Sequence, residues 1–239
     1  MEINRITIIG QGNVATHLTN VFTLLGYEIH NVNSRTLDNL PSDSDLYVIS
    51  VSDDAIKGVA ARLPKISGIV VHTSGSVSMD VLSEYADRFG VFYPLQTFTK
   101  NVKLKYDEIP FFIEGSDGYV VEQLKTVAKS ISPKVYDADS QRRKCIHIAS
   151  VFACNYVNHL WTIADEILSK EGLSIEILLP LIDATVEKIH HISPKKSQTG
   201  PAVRGDISII NSHLNYLNNT SDVQKIYEIL ANRILKNKK

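Results

Sequence analysis

Along the first half of the chain, short β-branched runs alternate with stretches whose apolar residues recur every three or four positions. Ile6 to Ile9 is one such run, closed by Gly10-Gln-Gly12. Residues 13–25 then show helical spacing (Val14, Leu18, Val21, Phe22, Leu25) and stop at Gly26, which suits a left-handed cap. Further strands are predicted at 28–32, 46–51, 69–73, 90–93, 110–114 and 134–136, with helices at 54–63, 78–88 and 119–131 between them. The run from Leu46 to Val51 is apolar on almost every position, as in a strand buried on both faces. Strands alternating with helices in this way predict an α/β domain built on a doubly wound, mostly parallel sheet.

The pattern changes at Asp137. A long helical stretch is expected over 140–169, then Gly172, then a second helix over 174–191 that Pro180 should kink. A loop over 193–205 precedes helices at 206–217 and 221–235, with Ser221-Asp-Val-Gln224 as a capping box. No strand pattern follows Tyr136. Two domains are therefore expected: an α/β domain over residues 1–137 and an all-helical one over 138–239.

Composition narrows the function. A chain of 239 residues can bury roughly 70–75% of its unfolded surface and needs no metal or disulfide staple. Its 25 basic and 26 acidic side chains leave a net charge of −1, against the basic excess of a nucleic-acid binder. No apolar run approaches the ~20 residues of a membrane span, and the start, Met1-Glu-Ile-Asn-Arg-Ile, enters a strand with no leader pattern. A cytoplasmic location without membrane or nucleic-acid partners is expected. Cys145 and Cys154, nine residues apart on one helix, would lie roughly 13 Å apart, beyond disulfide reach. They are expected as reduced thiols in a core, and two cysteines make no metal site.

Gly10-Gln11-Gly12-Asn13-Val14-Ala15 has the form Gly-x-Gly-x-x-Ala between a strand and a helix. In that context Gly10 makes the tight turn, Gly12 admits a pyrophosphate to the backbone, and Ala15 allows close packing. The pyrophosphate then sits on the helix N-terminus. Only about a dozen residues separate Val32 from Leu46, too few for a crossover helix plus a strand. The usual third strand is therefore expected to be missing, leaving the second at the sheet edge. NAD binders place an acid at the tip of that strand. Here Asn33-Ser34-Arg35-Thr36 offers an arginine and two hydroxyls, which suits the 2′-phosphate of NADP, although a solvated turn arginine is the plain alternative. Segments leaving the other strand ends, Val51-Ser52, Ser74-Gly75 and Gln96, are small or hydrogen-bonding. They suit a nicotinamide ribose and a polar substrate. His72, inside a strand, reads as a satisfied core histidine.

The long helix carries a polar stripe. With His147 at zero and 100° per residue, Cys154, Asn158, Thr162 and Asn155 fall at about −20°, 20°, 60° and 80° among large apolar side chains. Such a stripe lines either a site or a buried interface, and His159 lies at its rim. Arg204 either holds a substrate carboxylate or locks its turn through Asp206. His190 and His191 suit a favourable contact with a helix end.

These motifs resemble, over the whole chain, a bacterial family of NADP-dependent oxidoreductases common in Bacteroidetes. The match runs through Gly10 to Ala15, Val71-His-Thr-Ser-Gly-Ser76, Gly90 to Phe98, His147, Asn155 to His159 and Gln198-Thr-Gly-Pro-Ala202. The resemblance implies a Rossmann-like N-terminal domain, similar to pyrroline-5-carboxylate reductase and the deazaflavin-dependent NADP oxidoreductases, with a helical C-terminal domain of unknown function. The layout is more distantly similar to the hydroxyacid and 6-phosphogluconate dehydrogenases, whose C-terminal domain carries a catalytic lysine with an asparagine four residues on. Asn155 and His159 have that spacing, but no lysine lies mid-helix, and Lys144 is a turn too early.

The expectation is an enzyme binding NADP(H) through Gly10, Gln11, Gly12, Asn13, Val14, Asn33, Ser34, Arg35, Val51, Ser52, Ser74 and Gly75. It would move a hydride to or from a small carbonyl or imine substrate between the sheet edge and the polar stripe. His147 would exchange the proton, Asn155 and Asn158 would orient the substrate, and Ser74 and Gln96 would add hydrogen bonds. Cys154 is a poor proton donor in an apolar setting; should His147 not act, His159 or Tyr93 would. A homodimer through the helical domain is expected. The rival reading is a dimer that binds NADP(H) as a regulatory or sensing module without turnover, as the missing lysine suggests.

Overall fold

The computed structural model describes residues 3–218 and 221–237. Its sheet contains β1 Arg5–Ile9, β2 Glu28–Val32, β3 Leu46–Ile49, β4 Ile69–His72, β5 Phe89–Pro94, β6 Phe111–Gly115 and β7 Val135–Asp137, in the order β2-β1-β3-β4-β5-β6-β7. Every neighbouring pair is parallel except β5 and β6. β2 stands at the edge, as the short connection to Leu46 requires.

The strand period of two sorts the core into two layers. Ile6, Ile8, Leu46, Val48, Ile69 and Val71 face α1 (Asn13–Leu24) and α3 (Gly118–Ile131). Ile9, Tyr47, Ile49 and Val70 face α2 (Ile56–Ala60) and Leu82. All four residues of β3 and of β4 are buried because both faces are covered. Full burial of each large apolar side chain contributes about 1.5–3 kcal/mol.

Two helices expected in this region are reduced. Residues 54–63 form a 3₁₀ turn at Asp53–Ala55 followed by α2. Residues 78–88 form no α-helix, only the 3₁₀ turn Met79–Leu82 and further turns. The cause is local. Bonds from Val81 to Ser78, Ser83 to Asp80 and Tyr85 to Leu82 all span three residues, so Val77, Val81, Leu82 and Tyr85 reach the sheet from tight turns.

The long helical stretch is three pieces: α4 Ser140–Ser150, a π-turn at Val151–Asn155 and α5 Tyr156–Ser169. By contact the chain divides into two compact units, Met1–Asn155 and Tyr156–Lys239. α4 thus belongs with the sheet although its sequence pattern groups it with the helices. In the second unit, a 3₁₀ turn at Ile175–Leu178 precedes α6 (Leu179–His191). Pro180 sits in the first turn of α6 and kinks nothing, since the N–H it lacks is unpaired there anyway. Short helices α7 (Pro194–Ser197) and α8 (Pro201–Arg204) interrupt the expected loop, followed by α9 (Ile207–Tyr216) and α10 (Ser221–Lys236). Ala202, Ile210 and Ala231 form a small core with Leu214, Tyr227 and Ile234 against them. The capping box at Ser221 lies outside the described side chains. Both cysteines are exposed rather than buried: Cys145 lies on a solvent-facing position of α4 and Cys154 on one of the π-turn.

Candidate active site at the carboxyl edge of the sheet

Register brings the candidate residues to one edge. Ile9 pairs with Val32 and Ile49, Ile49 with His72, and His72 with Val91. The segments starting at Gly10, Asn33, Ser50 and Thr73 therefore leave the sheet side by side, and β5 carries Tyr93 just past them. This is where ligands of open α/β sheets bind.

The first turn fits a dinucleotide. Gly10 has φ +140°, and a Cβ there would lie 2.0 Å from the Ser50 carbonyl oxygen, so β1 and β3 can approach only with glycine. A Cβ on Gly12 would meet nothing within 4 Å, which leaves its backbone open to a ligand. No side chain caps α1, and its first turn holds no acid, so its leading N–H groups are available to an anion. Gln11 and Asn13 are exposed, Val14 is half-buried, and the Asn13 amide ties the loop after β5 by donating to the Phe98 carbonyl at 2.8 Å.

At the tip of β2 the Arg35 amide donates to Asn33 Oδ1 at 2.9 Å, closing a turn on which Asn33 and Arg35 are exposed. Arg62, absent from the sequence expectations, braces this turn through the Ser34 and Arg35 carbonyls. Val51 is half-buried and Ser52 exposed.

Behind the edge lies a buried polar framework. His72 Nδ1 accepts the Ser74 N–H at 3.1 Å and its Nε2 donates to the Ser78 carbonyl at 3.3 Å, an assignment fixed by those partners. Burial, together with the nearby Arg143 charge, lowers its pKa to about 4. It is a neutral core histidine, as its place in a strand suggests. Ser74 Oγ accepts the N–H groups of Ser76 and Val77, each at 3.0 Å, leaving its own proton to donate. Arg143, fully buried on α4, donates to the Ser74 carbonyl at 3.1 Å, to the Val77 carbonyl and to Glu114. Glu114 in turn accepts from the Ser140 amide and hydroxyl, both at 2.9 Å. Sequence reasoning missed this strap. The available signal is spacing: Arg143 precedes His147 by four, on the same helix face.

His147 faces the edge one turn further on. Its Nδ1 lies 3.0 Å from the Tyr93 hydroxyl, and a Cβ on Gly75 would lie 2.7 Å from that same nitrogen and 2.7 Å from Tyr93 Cζ. Burial pushes the Tyr93 phenol above its usual 10, so it stays protonated. The His147 ring is half-buried, and among the described residues no hydrogen bond reaches its Nε2. The remaining candidates are less assembled. Gln96 is exposed and its Oε1 accepts the Thr97 N–H at 2.7 Å. Asn155 closes the first unit and Asn158 belongs to the second. The π-turn at Val151–Asn155 interrupts the regular 100° spacing on which the stripe rests. Arg204 pairs with Asp206 at 2.7 Å, the turn-locking arrangement, and Asp206 caps no helix with its side chain. His191 meets Glu187 at 2.9 Å.

Fold and site define a Rossmann-like α/β protein with a helical carboxyl-terminal unit. Residues 109–234 match the family described as Domain of unknown function (DUF2520), and the chain belongs to that family. It is similar in structure to a provisionally named NADP oxidoreductase from Bacteroides fragilis, with 35% identity over 98% of each chain and a TM-score of 0.89. Its fold is shared by a reductive aminase from Aspergillus terreus solved with cyclohexanone and allyl amine, at 13% identity over 99% of this chain and 94% of that one, TM-score 0.71. A 1-pyrroline-5-carboxylate reductase from Streptococcus pyogenes shares it too, at 13% identity over 97% and 98%, TM-score 0.63. No curated protein matches significantly. Among the described residues no helix is long and apolar enough to cross a membrane.

Proposed function

We propose that the protein is an NADP(H)-dependent oxidoreductase that reduces a small carbonyl or imine compound, or oxidises the matching alcohol or amine. The observation that carries this reading is the Tyr93–His147 pair, seated on Gly75 beside an open Gly10–Gly12 turn. It is supported by the 35% identical Bacteroides fragilis protein and by relatives of the same fold solved with NADP or NADPH. The pyrophosphate would lie on the first turn of α1, the 2′-phosphate at Ser34 and Arg35, and the nicotinamide ribose near Val51, Ser52, Ser74 and Gly75.

The cofactor supplies the hydride when bound. In the direction of reduction, His147 as imidazolium gives its Nε2 proton to the substrate oxygen or nitrogen as negative charge develops there. The Tyr93 hydroxyl accepts from Nδ1–H throughout, since the ring that has lost its Nε2 proton keeps the one on Nδ1, and this contact holds Nε2 toward the substrate. The Ser74 hydroxyl and the Gln96 amide offer hydrogen bonds that orient the substrate, and Asn155 is a further candidate for that role. A lysine is not required, because the histidine supplies the exchangeable proton.

Steady oxidation of NADPH by a panel of carbonyls and imines, with and without amine donors, tests the reading. Tight NADPH binding without turnover of any panel member would favour the sensing module instead.

We further propose that the second unit forms a homodimer. No residue of α6 is buried, and its apolar residues Leu179, Leu181, Val186 and Ile189 are 46–64% exposed. Contiguous apolar surface on this scale marks an interface in soluble proteins.

A further inference from the structure

The turn after β2 is held by a side chain outside any motif. Arg62, two residues beyond α2, donates from Nη1 to the Arg35 carbonyl at 2.7 Å and from Nη2 to the Ser34 carbonyl. Its Nε reaches back to the Gly58 carbonyl at 3.1 Å. A guanidinium has five N–H donors, so these bonds leave one on each terminal nitrogen. Arg62 and Arg35 are both exposed, and residues 33–36 include no acid. Two exposed arginines, one on the turn and one bonded to its backbone, thus stand at a site where residues 33–36 carry no carboxylate. Bracing a turn needs only a neutral donor; a second full positive charge fits a dianionic phosphate, which guanidinium forks match in shape as well as charge.

We propose that Arg62 is a specificity-determining residue for the 2′-phosphate of NADP(H). It fixes the Ser34–Arg35 backbone in the form that presents the Ser34 hydroxyl and the Arg35 guanidinium, and it adds its own charge and two remaining donors. The inference rests on the NADP(H) reading above. It places specificity on two elements, the β2 tip and the segment after α2.

Calorimetric titration of the full chain with NADPH, NADH, 2′,5′-ADP and 5′-AMP tests it. Arg62→Met is expected to weaken NADPH and 2′,5′-ADP by about 10- to 100-fold while NADH and 5′-AMP stay within about threefold. Arg62→Lys, which keeps the charge but not the fork, is expected to recover part of the loss. Melting curves establish that each variant is folded. If the parent prefers NADPH and Arg62→Met keeps that preference, or loses all four ligands equally, Arg62 is only a brace and the inference falls while the NADP(H) reading stands. A parent that binds NADPH no better than NADH overturns both.

Discussion

His147 stands where it does because residue 75 has no side chain. Gly75→Ala would drive a methyl into the imidazole and the Tyr93 ring, each 2.7 Å from the built Cβ, and neither ring can yield without breaking the 3.0 Å bond between them. Turnover in this variant should fall at least ~10-fold with cofactor affinity little changed, a misplacement effect. His147→Gln should leave NADPH affinity within about twofold and lower turnover ~10²–10⁴-fold, the usual worth of a positioned acid or base. A well-folded His147→Gln protein with parental turnover would remove the residue from the mechanism. His72 answers to pH instead. Its folded pKa of about 4 lies below the ordinary 6.5, so the unfolded chain binds more protons between those values. The stability its neutral form contributes is complete above pH 6.5 and is lost as pH falls toward 4, amounting to about 3 kcal/mol. Urea midpoints measured across pH 4–7 should fall on the acid side, and His72→Gln should flatten that slope. Both histidines were legible as residues: one in a strand, one on a polar stripe. Tyr93 was legible only as an alternative proton donor; its pairing with His147 was not, because 54 positions separate them in sequence.

Among the elements, α4 is the one whose allegiance the sequence conceals. Its apolar spacing continues into α5, so the pattern shows one helix, yet Arg143 and Ser140 bind it to β6 and to the Ser74–Val77 segment. An arginine in the first turns of a helix ordinarily reads as a solvated charge, and only the tertiary fold reveals that it is fully buried on Glu114. The π-turn is equally hidden, since it changes the number of residues in a turn without changing their type. The same limit explains the missing helix at 78–88, where apolar spacing is satisfied by tight turns. The strands were legible because parallel strands buried on both faces leave continuous apolar runs, and the place of β2 at the edge because the short link from Val32 to Leu46 admits one crossover only. Breaking the strap should be costly. Arg143→Met leaves Glu114 without its cation in a largely buried setting, a change worth about 3–5 kcal/mol. At this chain length that lowers the melting temperature by roughly 10 °C. The double variant Arg143→Met/Glu114→Gln should recover part of it, and a melting temperature unchanged in Arg143→Met would show the strap to be dispensable.

At the level of the molecule, the two units differ in how they hide apolar surface. The first buries β3, β4 and the facing sides of α1 and α3 completely. The second, over Tyr156–Lys239, centres on Ala202, Ile210 and Ala231, two of which are alanines and contribute little area. Meanwhile Leu181, Ile177 and Ile229 are 64%, 56% and 66% exposed. Such a unit is marginal alone, since hydrophobic burial has to offset about 1–2 kcal/mol of backbone entropy per ordered residue. A twofold pairing through α6 would bury the same residues on both copies, and a stable interface needs only about 800 Å² per partner. Light scattering should therefore give twice the 26.6 kDa chain mass down to low protein concentration. Charges placed on the face, as in Leu181→Glu with Ile189→Glu, should shift the mass to that of one chain and give a lower melting temperature that no longer rises with protein concentration as the parent's does. A parent particle of 26.6 kDa at every concentration would sink the dimer. The exposed face of α6 would then need another partner, because solvent alone gives no reason for so many apolar side chains to remain there.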